Sequence, residues 1–382
     1  MASDTNALVI GAGPFGLSLA AQLDGDGTDH LVVGRPMEFW QANMPANMYL
    51  RSECDWHLDP LGIDTIEAYL SEVGKTPDEV LPISLSFYLE YAHWFQGQKA
   101  INPVDVRVQR LDRDGSELVS TLADGQKIRA NNVVLALGFE YFQHIPEGLA
   151  GTLPPGRFSH TCDTVELSRY AGQRVMILGG RQSAFEWAAL LVEEGAAEVY
   201  VSHRHDSPAF AVADWSWVNP LVGSMVADPT WFRRLPLEEQ ESIKHRMWVE
   251  GRMKVEPWLE DRLRGEARIW PRTRLVEAVE RDDGGVEVRL DDGRTAVVDH
   301  IIFATGYRVD LSRIPLLAEG TLLDEIEVSN GFPVLDEHFQ TSVPGLYITS
   351  LAASQDFGPF FGFTGAVRTS AKLIAAGLSR HS

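Results

Sequence analysis

The feature that most constrains this chain is a short apolar run, close to its start, that breaks off in glycines. Ala7-Leu-Val-Ile10 is uniformly apolar, as in a central strand of a parallel sheet. Gly11-Ala-Gly13-Pro14-Phe15-Gly16 follows at once, and Leu17 to Leu23 then reads as a helix. Strand, GxGxxG and helix in that order form a dinucleotide-binding corner. Gly11 permits the tight turn, Gly13 lets a diphosphate approach the backbone, and Gly16 lets helix and strand pack closely. The helix start adds free N–H groups and the positive end of its dipole. The next strand reads as His30-Leu-Val-Val33, and its end should carry an acid for ribose hydroxyls. Gly34 and Arg35 stand there instead, with Glu38 slightly later. Arg35 reads equally well as a nucleotide contact and as a solvated surface residue.

A second unit of the same kind sits mid-chain. Arg174 to Leu178 is an apolar strand, Gly179-Gly180-Arg181-Gln182-Ser183-Ala184 is the turn, and Phe185 to Gly195 is an amphipathic helix. Glu198 to Ser202 is the following strand. Arg181 occupies the place of a second glycine, where a guanidinium reaches phosphate. Ser183 is expected to cap the helix and touch the diphosphate. Arg204, just after the second strand, favours the 2′-phosphate of NADPH over the bare ribose of NADH. Two such units suit two dinucleotides better than one.

Length and charge narrow the function. A chain of 382 residues is right for two domains. A net charge of −21 argues against nucleic acid and against a polybasic membrane patch. No run spans a bilayer and no basic leader precedes the first strand, so a cytoplasmic location is expected. Cys54 and Cys162 form no CxxC, so a redox-active dithiol is not expected, and no metal site is read.

Elsewhere, Leu85 to Gln96 reads as a helix. Val104 to Arg129 reads as a β-meander around Asp114-Gly and Asp124-Gly, closed by Val133 to Gly138. Pro146 to Gly156 reads as the hinge. The stretch from 208 to 264 carries Trp215, Trp217, Trp231, Trp248 and Trp258. These read either as an aromatic wall beside a cofactor cleft or as the packing of a helical insertion, with Pro229 to Glu250 helical. Val286 to Val298 reads as a hairpin, and His300 to Tyr307 as a strand entering a glycine turn. A last helix is expected from about Phe363 to Leu378, aimed at the cofactor.

The two glycine loops, Phe303-Ala-Thr305-Gly306-Tyr307, and the segment from Met48-Tyr-Leu-Arg-Ser52 through Leu58-Asp-Pro60 to Tyr69-Leu70 resemble the class B flavin-dependent monooxygenases. These are two-dinucleotide-binding-domain flavoproteins that include lysine and ornithine N-hydroxylases and flavin-containing monooxygenases. The resemblance implies an α/β fold of two Rossmann-like domains, with the NADPH domain inserted in the FAD domain. The FAD domain would comprise 1–160 and 304–382, and the NADPH domain 161–303 with the Trp-rich insertion. It further implies FAD contacts at Gly34, Arg35, Trp40, Leu50, Arg51, Val106, Gly138, Thr305, Gly306, Phe357 and Pro359. Arg51, Asp55 and His57 become the catalytic candidates. The implied chemistry is reduction of FAD by NADPH, addition of O2 to give a C4a-(hydro)peroxyflavin, and transfer of one oxygen to a small substrate. A homo-oligomer is left open. The Baeyer–Villiger fingerprint finds only Gly156 and His160, with Pro154 and Thr164 at its aromatic ends. Two other readings stay open: a flavin reductase that inserts no oxygen, and a non-catalytic cofactor-binding protein.

Overall fold

The computed structural model describes residues 3–150 and 153–380. Part of the expected hinge, at 151–152, lies outside them. Strands β1 (Ser3–Ile10), β2 (His30–Val33), β3 (Val108–Asp114), β4 (Glu117–Leu122) and β5 (Lys127–Leu135) form a first sheet in the order β2-β1-β5-β4-β3. A second sheet is wholly parallel. It contains β6 (Phe158–His160), β7 (Arg174–Leu178) and β8 (Glu198–His203). The short pair β9 (Ala209–Phe210) and β10 (Lys254–Val255) stands apart. Strand β11 (Ala267–Pro271) rejoins the second sheet. Strands β12 (Leu275–Glu280), β13 (Val286–Leu290) and β14 (Thr295–Val298) make an antiparallel meander. Strand β15 (His300–Phe303) completes the second sheet as β11-β8-β7-β15-β6. Strand β16 (Leu346–Ile348) then returns to the first sheet, parallel to β5. The second sheet thus takes in Phe158 to His160, ahead of residue 161.

Strand β5 unites two segments that the sequence pattern separates. Its first half alternates and pairs antiparallel with β4, while Val133 to Leu135 is buried throughout and pairs with β1 and β16. The change of pattern marks a change from one covered face to two, not a break in the strand. The helix expected over Pro229 to Glu250 is broken. It splits into Trp231–Arg234 and Leu237–Arg252 because Pro236 holds Leu235 extended and offers no N–H. The last helix starts later than expected, at Val367 after a 3-10 turn over Thr364–Ala366.

The Trp-rich insertion divides its packing between the two sheets. Trp215, Val218, Val222, Phe232 and Met247 join the core under the first sheet, while Val255, Leu259 and Leu263 join the core of the second, with Phe210 and Trp258 packed against it. The insertion therefore straps one module onto the other. Trp215 lies 6.0 Å from Trp56 and 6.4 Å from Phe363, and Trp217 lies 5.5 Å from Phe360. No helix among the described residues is long and apolar enough to cross a membrane.

The loop that carries the catalytic candidates is fastened by Asp59. This carboxylate is 0% exposed and accepts from the N–H groups of Leu61, Ile63 and Asp64 and from Lys99 Nζ at 2.8 Å. Burial alone would raise its pKa, yet Lys99 and those N–H groups hold it below the usual carboxylate value. Its contribution is therefore present above the ordinary carboxylate pKa and is lost as pH falls through the depressed one. Asp59→Ala should lose about 3 kcal/mol in urea unfolding, because Lys99 and the loop N–H groups are left unpaired. An unchanged midpoint would contradict this.

Candidate cofactor-binding and active site

Helix α1 (Pro14–Gly25) starts at the carboxyl end of β1, with Pro14 at its first position and Gly13 as its cap. No side chain caps it, so its first N–H groups face outward. Gly11 has φ +109°, and a Cβ there would sit 2.5 Å from the Ala136 carbonyl oxygen. A Cβ on Gly16 would sit 1.8 Å from the Gly11 oxygen, so helix and strand pack with no room for a side chain. A Cβ on Gly13 would meet nothing within 4 Å, which leaves the turn open to a ligand.

This corner opens into a groove lined by Gly11, Gly13, Pro14, Phe15, Gly34, Arg35, Trp40, Val106 and Gly138. Gly16 lies beneath it as a packing residue. Sequence reasoning had no acid at the end of β2, and the groove supplies it. Met37 turns left-handed at φ 53° and starts helix α2 (Glu38–Ala42), which brings Glu38 to the lining. Arg107 holds that carboxylate at 2.8 Å and Glu140 at 2.7 Å, and both of these residues also line the groove. Arg35 instead leans toward Asp105, at 3.4 Å. An acid displaced by one helical start was the available signal for Glu38.

The second corner repeats the geometry at the end of β7. Gly179 has φ +155°, and a Cβ there would sit 2.3 Å from the Ala304 oxygen. A Cβ on Gly180 would sit 2.4 Å from the His203 ring. Helix α3 (Gln182–Glu193) is capped by Arg181 with no side-chain bond. Ser183 is not the cap, because the helix begins at Gln182 and the hydroxyl falls inside the first turn. Gln182 is committed to structure: its Oε1 accepts from Glu256 N at 2.9 Å. Arg181 and Arg204 are exposed.

The two corners are joined by two crossing segments. One leaves β5 just beyond Ala136, and the other leaves β15 at Ala304. They pair antiparallel at Gln143 and Tyr307. His144 N donates to Gly306 O at 2.9 Å, Arg308 N donates to Phe142 O at 2.7 Å, and Thr305 Oγ1 donates to His144 O. Thr305 and Gly306 thus stitch the bridge between the modules. Each glycine corner abuts one end of this short bridge.

A family description reading pyridine nucleotide-disulphide oxidoreductase matches residues 8–245. The chain belongs to this family. Its fold matches that of the ornithine N-hydroxylase of Kutzneria sp. 744, with a TM-score of 0.79, 16% identity and 99% of each chain covered. It also matches the bacillithiol disulfide reductase of Staphylococcus aureus, with a TM-score of 0.66, 15% identity, and 100% of this chain and 99% of that one covered. At such identities the likeness is one of fold. The FAD-dependent urate hydroxylase of Xanthomonas campestris is 32% identical over 123 residues, which are 30% of this chain and 26% of the relative. The ferredoxin–NADP reductase 2 of Oceanobacillus iheyensis is 26% identical over 179 residues, which are 47% of this chain and 52% of the relative. The chain therefore spans between a quarter and about half of these curated relatives.

In this member of the pyridine nucleotide-disulphide oxidoreductase family the cysteines form no dithiol. Cys54 and Cys162 are both free and buried. Burial and neighbouring acids push the thiols up to about 11 and about 12, so both stay protonated and poorly nucleophilic.

The catalytic candidates take structural roles. Arg51 pairs with Glu256 at 2.7 Å, donates to Gly251 O at 2.7 Å, and lies over the Trp215 ring. It fastens the Met48–Ser52 segment to the insertion, beside buried Leu50. Asp55 is exposed and accepts from Asn219, and burial raises its pKa despite the opposing charge of Arg368. His57 Nε2 lies 2.7 Å from Arg368 Nη1. Arginine only donates, so His57 accepts there and carries its proton on Nδ1. Phe357, expected at the cofactor, is fully buried and stacked on Phe339 at 3.8 Å, which makes it a core residue. Pro359 opens the 3-10 turn that follows.

Burial first, with added positive or neighbouring histidine charge, pushes His57, His203 and His300 each down to about 4 from 6.5. All three are neutral in the folded protein near neutrality, whereas the unfolded chain protonates them below 6.5. Stability should therefore fall as pH drops from about 6.5 to about 4, by up to about 1.4 kcal/mol per pH unit for each group. His57→Gln, which keeps an acceptor for Arg368, should remove one such increment. Urea midpoints measured across that window check it, and a slope identical to wild type would contradict the assignment.

Proposed function

We propose that the chain is an NADPH-dependent, FAD-containing monooxygenase acting on a small organic substrate. The observation that carries this reading is the pair of uncapped, glycine-cornered helix starts joined by the Gln143–Tyr307 bridge. The residues present fit both dinucleotides. In the first groove the α1 start would hold the FAD diphosphate, and Glu38 would hold its ribose. At the second corner the α3 start with Arg181 would hold the nicotinamide diphosphate. Arg204 would take the 2′-phosphate, which favours NADPH.

When bound, the flavin supplies electron transfer from the nicotinamide and the activation of O2. The chain's own residues position and protect. The bridge fixes the spacing of the two corners. Trp215, packed on Trp56 and Phe363, and Trp217, packed on Phe360, cover Trp56 in the segment between Met48 and His57. Arg51 holds that cover in place through Glu256 and Gly251. His57 is a fixed acceptor for Arg368 and moves no proton near neutral pH.

Oxygen insertion is favoured over disulfide reduction because the two buried, protonated cysteines offer no relay. The test is NADPH oxidation in air with isotopically labelled O2 and a panel of amines, purines and ketones. Label recovered in one organic product supports the proposal. Stoichiometric peroxide with no labelled product from any of them favours a reductase. Arg204→Ala should raise KM for NADPH about tenfold and leave that for NADH near its wild-type value. Equal changes for both would remove the 2′-phosphate role.

A further inference from the structure

The insertion returns beside the second glycine corner, and its longest helix contributes an arginine that the fold does not use. This helix, α4 (Leu237–Arg252), finishes at Arg252. Strand β10 follows directly, and Glu256 N bonds Gln182 Oε1 at 2.9 Å, at the first residue of α3. On the other side Arg51 grips the carbonyls of Glu250 and Gly251, at 3.4 and 2.7 Å. The backbone on either side of Arg252 is thus held by both modules.

The side chain is held by neither. Arg252 is exposed and its side chain has no hydrogen bond or ion pair among the described residues, and the same holds for the side chains of Arg181 and Arg204. Other exposed arginines, such as Arg107, Arg264 and Arg272, find carboxylates in this chain of net charge −21. Backbone contacts gather the three: Gly180, before Arg181, lies against the rings of His203 and His205 on either side of Arg204, and Met253, after Arg252, accepts from Ala209 N at 2.9 Å. After the effect of surrounding protein, the charges of Arg252 and then Arg204 push the Arg181 guanidinium down to about 10. A cation at a helix C-terminus is ordinary, since the helix dipole favours it. Its convergence on two further cations at the N-terminus of another helix is not. Like charges left together without a counter-ion repel, and an incoming dianion removes the repulsion while gaining charge-assisted bonds.

We propose that Arg252, carried by the insertion, completes with Arg181 and Arg204 a three-guanidinium site for a phosphate group of the nicotinamide dinucleotide. This rests on the two-cofactor reading above. It makes the insertion part of the cofactor site and not only a strap. Because Arg51 grips the same turn, the phosphate and the Met48–Ser52 segment share one rigid support.

The test is calorimetric titration of the purified holoprotein with NADP+ and with NAD+, for wild type, Arg252→Ala, Arg252→Lys and Arg204→Ala. Arg252 makes no bonds in the fold, so its variants should keep the wild-type thermal unfolding temperature, which is measured alongside. Arg252→Ala should weaken NADP+ binding about tenfold or more, and Arg252→Lys should restore it only in part. A loss confined to NADP+ identifies the 2′-phosphate. An equal loss for NAD+ identifies the diphosphate. Both support the site. Wild-type affinity in Arg252→Ala, with a weakened Arg204→Ala, would overturn it while leaving the two-cofactor reading intact. If wild type bound neither nucleotide, that reading and this site would fall together.

Discussion

At both dinucleotide corners a backbone carbonyl occupies the space that a side chain would need. Gly11 abuts the oxygen of Ala136, Gly16 abuts the oxygen of Gly11, and Gly179 abuts the oxygen of Ala304. A larger residue at any of these points would push a helix off its strand and close the gap that a diphosphate enters. The same contacts decide where the chain goes next. The carbonyls that press on Gly11 and Gly179 belong to the ends of the two segments that cross between the modules. Corner geometry and module spacing are therefore one constraint, set where β5 and β15 run out.

Around those corners the molecule is built to hold still. Asp59 fastens its loop to Lys99, Arg51 fastens the insertion to the Met48–Ser52 segment, and Thr305 stitches the bridge to His144. His57 and His300 are pushed down and the buried thiols up, so these interior groups are kept uncharged. Such a chain supplies positioning and leaves electron transfer to bound cofactors.

Much of this was legible in the sequence because it is local. The limits of β2 and β7 follow from apolar runs cut off by glycine, and the second corner was readable despite Arg181. What escaped depends on distant partners or on small displacements. Glu38 reaches the first groove only because Met37 turns left-handed before it. The carboxylate of Arg51 lies at residue 256, so no local pattern separated a catalytic arginine from a structural one. Phe357 read as a cofactor contact, yet it stacks on Phe339 in the core. Trp215 and Trp258, alike in sequence, fall into different cores because helices between them cross from one module to the other. Pro236 was visible, but its break in the helix was outweighed by the helical pattern on either side.

The central claim is that two dinucleotides sit in one chain at once, one at each glycine corner. Binding stoichiometry measures it most directly. The protein stripped of ligand should take up one FAD and then one NADP+ per chain, with the FAD retained as NADP+ binds. Uptake of a single dinucleotide per chain, or displacement of FAD by NADP+, would contradict it.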